Sequence, residues 1–166
     1  YSHLFENGQP MAYITGTRLY NELGLTTQIP TTVRVASWDK VIKTKIGNLV
    51  VKPAKSYAPV SKESIPFLQL LDVMKDFKKI PDLDKKKGVN FLKKKIKGLS
   101  DTDKIQLVDL AKSYPPKVRA LLGALLEALS FNEVSEPLKN TLNYLSKYEF
   151  GIPENILPTI SNWKIS

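Results

Sequence analysis

The sequence predicts an α+β fold: a small antiparallel β-sheet with a hairpin, packed on one helix and followed by a mainly α-helical bundle. Three observations predict it. A short helix signal at 16–23 runs into alternating strand residues at 32–38. Two β-rich runs flank Gly47-Asn48. Beyond Pro53, every apolar pattern has helical spacing. The expected division is 1–58 for the helix and sheet and 59–166 for the bundle with an extended tail, the whole forming one compact unit. At 166 residues the chain is long enough to bury roughly 70% of its unfolded surface.

Thr15 is placed to cap a helix from about Gly16 to Leu23, with Gly24 as its stop. Pro30 forbids continuation, and Thr32-Val33-Arg34-Val35-Ala36-Ser37-Trp38 alternates as a strand. VIKTKI and LVVK, joined by Gly47-Asn48, carry the signature of a two-residue hairpin. Pro53 and YAPVSKES mark the boundary to the helical half. There Phe67, Leu70, Leu71, Met74 and Phe77 follow the i, i+3, i+4, i+7 rule, with Pro66 near the helix start. A second helix buries Val89, Leu92, Ile96 and Leu99. Ser100 and Asp103 resemble a capping box at the head of a third, with Ile105, Val108 and Ala111 on its inner face. Pro115-Pro116 ends that helix. VRALLGALLEAL is apolar nearly all round, the mark of a central helix, and Gly123 within it predicts a close helix–helix contact. A last helix is expected at about Glu136–Leu145, presenting Leu138, Leu142 and Leu145. The tail then lies extended, anchored by Ile156, Leu157 and Trp163.

Composition narrows the chemistry. The chain is 42% hydrophobic and 25% charged, as in ordinary globular proteins, and it has no cysteine, which fits a cytoplasmic setting. No run approaches a membrane span and no signal-peptide pattern opens the chain. The single histidine, His3, has no neighbours for a metal site or a nucleophilic triad. Asp82-Leu83-Asp84 fails as a calcium loop, because Lys87 stands where glycine is needed and Lys93 where glutamate is. No phosphate-cradling or dinucleotide glycine motif occurs. The expectation is a non-enzyme with no metal and no cofactor.

What remains is charge. The net charge is +9, and between Lys75 and Lys97 ten lysines face only three aspartates. Such a block draws polyanions, though a solubilising lysine face has the same composition. The candidates for DNA-phosphate or partner contact are Arg18, Arg34, Lys85, Lys86, Lys87, Lys93, Lys94 and Lys97. Lys117 and Arg119 join them at a Pro-Pro corner, where the first turn of the next helix either holds a phosphate or carboxylate or simply exposes solvated charge. With only three arginines in the chain, base-specific reading by this surface is not expected. Thr26, Thr27 and Gln28 form a junction motif, read either as scaffold between helix and strand or as a contact with partner or DNA.

Two strings, YITG…LGLTTQIP and YPPKVRALLGALLE, together resemble the AbiEi family of antitoxins from bacterial abortive-infection and type IV toxin–antitoxin loci. The resemblance extends to IGNLVVK, FLQLLDVMKDFKKIPD and LPTISNWKI, and so covers most of the chain. It implies an upstream winged helix-turn-helix that binds the operon's promoter, followed by an antitoxin domain corresponding to this chain. It implies transcriptional regulation and a co-encoded nucleotidyltransferase-like toxin as the antagonised partner, without a stable complex being required. It brings no catalytic residues with it. A protein-binding helical module with no DNA role is the alternative.

Overall fold

The structure is a computed structural model and describes residues 5–6, 9–39, 45–46 and 49–166. His3 and the Gly47-Asn48 turn lie outside the described residues. The α+β class holds. The chain divides into two units, 1–82 and 83–166. The break thus falls after Asp82 and not at the expected 58/59, because the helix at 65–76 is bonded into the sheet unit.

In the first unit, strands β1 (Phe5–Glu6) and β2 (Gln9–Pro10) pair antiparallel. A four-stranded sheet follows with order β3-β4-β6-β5. Its strands are β3 (Ala12–Thr15), β4 (Thr32–Ser37), β5 (Lys45–Ile46) and β6 (Leu49–Lys55). The sheet is mixed, not antiparallel as expected. β3–β4 and β5–β6 are antiparallel, but β4 and β6 run parallel, with Val33 opposite Val51 and Val35 opposite Pro53. The hairpin places β6 inside and β5 outside, so β6 comes to lie beside β4 in the same sense. Pro53 therefore does not end the strand. The strand continues to Lys55, paired with β4 from Val50 onward.

Alternation sorts the sheet's faces. Ala12, Val33, Val35 and Val51 form one apolar cluster, with Ile14 against it. Tyr13 and Thr15 point the other way, and both donate to the buried Asp72 on α2 (Ile65–Asp76), at 2.8 and 2.7 Å. Asp72 is only 2% exposed, so these hydroxyls replace the water its carboxylate gives up. Helix α1 (Thr17–Glu22) has Gly16 at its N-cap and no side-chain cap, since Thr15 is engaged by Asp72. The end of α1 is as expected. Gly24 adopts φ 77°, Gly24 N–H bonds the Asn21 carbonyl and Leu25 N–H bonds that of Tyr20, a Schellman closure.

The second unit contains α3 (Lys85–Lys97), α4 (Asp101–Ala111), α5 (Pro116–Ala128) and α6 (Asn132–Lys139), then a tail with a 3₁₀ turn at Pro158–Trp163. Helix α5 is the axis: every residue from Ala120 to Leu126 is buried. Gly123 is where the close contact falls, but the partner is the Trp163 indole from the tail and not another helix. A β-carbon there would stand 2.2 Å from the ring.

Two faces differ from expectation. On α4 the inner set is Lys104, Leu107, Val108 and Ala111, while Ile105 is 62% exposed. Both sets have helical spacing. Lys104 wins because its methylenes can be buried with its Nζ 4.0 Å from the Phe131 ring centroid and 3.7 Å from Asp101. The last helix spans 132–139 and not 136–145. Pro137 reads as a helix opener but sits inside α6, and the Thr141 hydroxyl, donating to the Leu138 carbonyl at 2.6 Å, helps close it. Leu145 is consequently exposed.

Candidate functional site

Helix α3 carries the densest charge in the described structure. Asp84 caps it, accepting the Lys86 N–H at 3.0 Å, and no acidic residue lies between Lys85 and Lys97. Gly88, Val89, Leu92 and Ile96 are buried. At 3.6 residues per turn, Lys87 and Lys94 fall on the opposite side at i and i+7, with Lys86, Lys93 and Lys97 one step round on the flank. These five form a stripe about 17 Å long by helix rise. Lys93 is half-buried and the other four are exposed. Lys85 belongs to the other side: its Cε lies 3.8 Å from where a β-carbon on Gly151 would stand.

The remaining candidates are placed elsewhere. The Lys75–Lys97 block is not continuous, since Lys75, Lys78 and Lys79 lie in the first unit. Lys75 Nζ sits 5.3 Å from the Tyr57 ring, which Lys55 also approaches, at 5.5 Å. Arg18 and Arg34 are likewise in the first unit, on α1 and β4. The aliphatic part of Arg34 packs over Gly16.

At the Pro-Pro corner, Arg119 is a clamp. Its Nε donates to the Tyr114 carbonyl at 3.3 Å and its Nη1 to the Thr141 carbonyl at 2.9 Å, joining the end of α4 to the end of α6. Lys117 stands two residues before it, in the first turn of α5.

The junction motif resolves into a specific arrangement. Thr26 Oγ1 donates to Asp82 Oδ1 at 2.7 Å, Thr27 Oγ1 donates to Asp82 Oδ2, and Gln28 N–H donates back to Thr26 Oγ1 at 3.2 Å. Asp82 itself takes φ 50°, a left-handed conformation that aspartate tolerates better than most residues. The threonines thus tie the α1–β4 junction to the loop after α2.

One feature escaped the sequence reading. A groove of about 590 Å³ runs between α4 and α6, lined by Ile105, Val108, Val134 and Pro137, with Asp109 and Glu133 among its polar residues. It exists because Lys104, and not Ile105, turns inward. Among the described residues, no group of three or more His, Cys, Asp or Glu is placed to hold a metal ion, and no helix is long and apolar enough to cross a membrane.

By fold and surface this is an α+β protein whose helical unit presents a lysine-faced helix and, separately, an apolar groove. No family model, curated protein or solved structure matches the chain.

Proposed function

We propose that this chain is the antitoxin part of an AbiEi-like transcriptional regulator, acting in the bacterial cytoplasm by binding and not by turnover. It neutralises a co-encoded nucleotidyltransferase-like toxin and adds sequence-independent contacts to DNA phosphates. The antitoxin part of this reading rests on the two sequence strings. The observation that carries the phosphate part is the α3 stripe, with four exposed lysines and a half-buried fifth on one side of a helix that has no acid within it. Each phosphate neutralised releases condensed counterions, so such a surface binds in a salt-dependent way.

Two measurements test the two parts. Co-expression with the adjacent toxin gene should restore growth, and failure by a folded chain removes the antitoxin claim. Duplex binding should lose affinity with a log–log salt slope of about −3 to −5, and each Lys→Gln change among Lys86, Lys87, Lys94 and Lys97 should reduce that slope by about 1. Salt-insensitive binding removes the DNA claim and leaves the antitoxin claim standing.

The α4–α6 groove favours a second reading, a helical module that docks a protein partner without any DNA role. Ile105→Asp would then abolish 1:1 co-purification with the toxin while leaving duplex affinity unchanged.

A further inference from the structure

The second unit holds an aromatic cleft that neither the lysine stripe nor the groove uses. It encloses about 100 Å³ and is lined by Tyr144, Tyr148 and Trp163 together with Lys139 and Lys164. That is small beside the roughly 300–1,000 Å³ of a drug-sized site, and suits a single flat ring.

Its Trp163 side is fixed from beneath. Trp163 Nε1 donates to Glu127 Oε2 at 3.0 Å, Asn162 Nδ2 donates to Glu127 Oε1 at 2.6 Å, and the indole lies flush on Gly123. The Tyr148 backbone is pinned to the last residues of the chain: its N–H donates to the Lys164 carbonyl at 2.8 Å and its carbonyl accepts from Ser166 N–H at 2.9 Å. Tyr144 is the opposite case, a ring that is 81% exposed. Cations share the site, with Lys139 Nζ 5.3 Å from the Trp163 ring centroid. Rings for stacking beside lysines for charge are the two elements that single-stranded nucleic acid needs.

The cleft is also close to the Lys85 end of α3, on the side of the helix away from the stripe. The segment carrying Tyr148 reaches Gly151 three residues on, and Gly151 adjoins Lys85, the first residue of α3. Tyr148 is thus separated from that contact by at most about 11 Å of backbone.

We propose that this cleft takes one unpaired nucleobase of a single-stranded nucleic acid, stacked on Tyr144 and Tyr148, with neighbouring phosphates on Lys139, Lys164 and the start of α3. The proposal rests on the reading of α3 as a phosphate surface. Stacking makes it tolerant of base identity. An aromatic cleft can equally receive a proline-rich peptide, but the adjoining lysines favour a polyanion.

The test uses the full chain, a labelled short oligothymidylate, a duplex of the same length and a proline-rich peptide. Wild type should bind the oligothymidylate. Tyr144→Ala should weaken that binding roughly 5- to 100-fold without altering duplex affinity, and Tyr144→Phe should bind like wild type. Tyr144 is exposed, so its removal leaves the fold intact. A Lys139→Gln/Lys164→Gln variant should flatten the salt dependence for the single strand. Unchanged oligothymidylate binding by both Tyr144→Ala and Tyr148→Ala overturns the cleft, and persistent salt-dependent duplex binding then keeps the α3 reading. Loss of duplex binding with a retained Tyr144 effect on the single strand does the reverse. Binding of the peptide but not the oligothymidylate, or of none of the probes, overturns the proposal.

Discussion

Asp82, Tyr20 and Gly123 each concentrate more consequence than their neighbours, for three different physical reasons. Asp82 gathers the Thr26 and Thr27 hydroxyls on its two carboxylate oxygens. Hydrogen bonds to a charged group are worth about 1.5–3 kcal/mol each, so Asp82→Asn, which keeps the shape and the left-handed backbone, should cost roughly 1–3 kcal/mol by urea denaturation. The Thr26-Thr27-Gln28 string was conspicuous in the sequence, but its partner was not, because a residue 55 or 56 positions away leaves no local pattern. At Tyr20 the hydroxyl donates to Asp76 at 2.5 Å and lies 3.0 Å from the Asp72 carbonyl. Burial first, and then the Asp76 carboxylate, push its pKa far above the ordinary value. The folded chain therefore keeps a proton that the unfolded chain releases above about pH 10. Below that pH both states hold the proton and the contribution is complete. Above it stability falls, by up to about 1.4 kcal/mol per pH unit. The stability difference between wild type and Tyr20→Phe should be level up to about pH 10 and shrink beyond it. Gly123→Ala sets about 1 kcal/mol of improved helix propensity against a methyl driven into a buried indole. Overpacking of that kind costs about 1–3 kcal/mol, and the rigid ring has little room to yield, so the variant should be net destabilised in a thermal melt followed by tryptophan fluorescence.

Helices in the second unit owe their limits to side chains that satisfy backbone ends. Asp84 opens α3, and Ser100 opens α4 by accepting the Asp103 N–H at 3.1 Å. Ser100→Ala should cost about 1 kcal/mol, close to the effect of removing any such cap. The Arg119 clamp is the counterpart at the other ends. Arg119→Ala should lower stability by roughly 1–3 kcal/mol and speed amide exchange near Thr141, while leaving the salt slope of DNA binding untouched. That last readout separates a clamp from a phosphate ligand. Elements with strong periodicity were legible: Phe67 to Phe77, Val89 to Ile96 and Val118 to Leu126 all turn inward where the spacing says. The α4 face was not, because Lys104 and Ile105 compete for the same position and hydrophobicity alone chooses the wrong one. The α6 limits were missed for a related reason, since Pro137 is as compatible with a first turn as with the interior of a short helix.

At the scale of the molecule, charge and topology follow different rules. The lysines could be counted from the sequence, but their division between two units could not, since nothing local marks Asp82 as a boundary. The parallel β4–β6 pair was hidden in the same way. A hairpin fixes which strands are neighbours at the turn, and says nothing of what lies on the other side. Of the candidate site, the α3 stripe was readable from spacing alone. The groove and the aromatic cleft were not, because the first depends on Lys104 turning inward in place of Ile105 and the second on where the tail carries Trp163 and Lys164. The tail also has a consequence for the protein's birth. Trp163 lies 36 positions beyond Glu127, the α5 residue that receives its indole N–H. On the ribosome, helix α5 is therefore made, and its leucines are ready to pack, well before the ring that seals its Gly123 side emerges. For that interval a strip of apolar helix is open to any passing chaperone or nascent chain, and translation speed over those 36 positions sets how long it stays so.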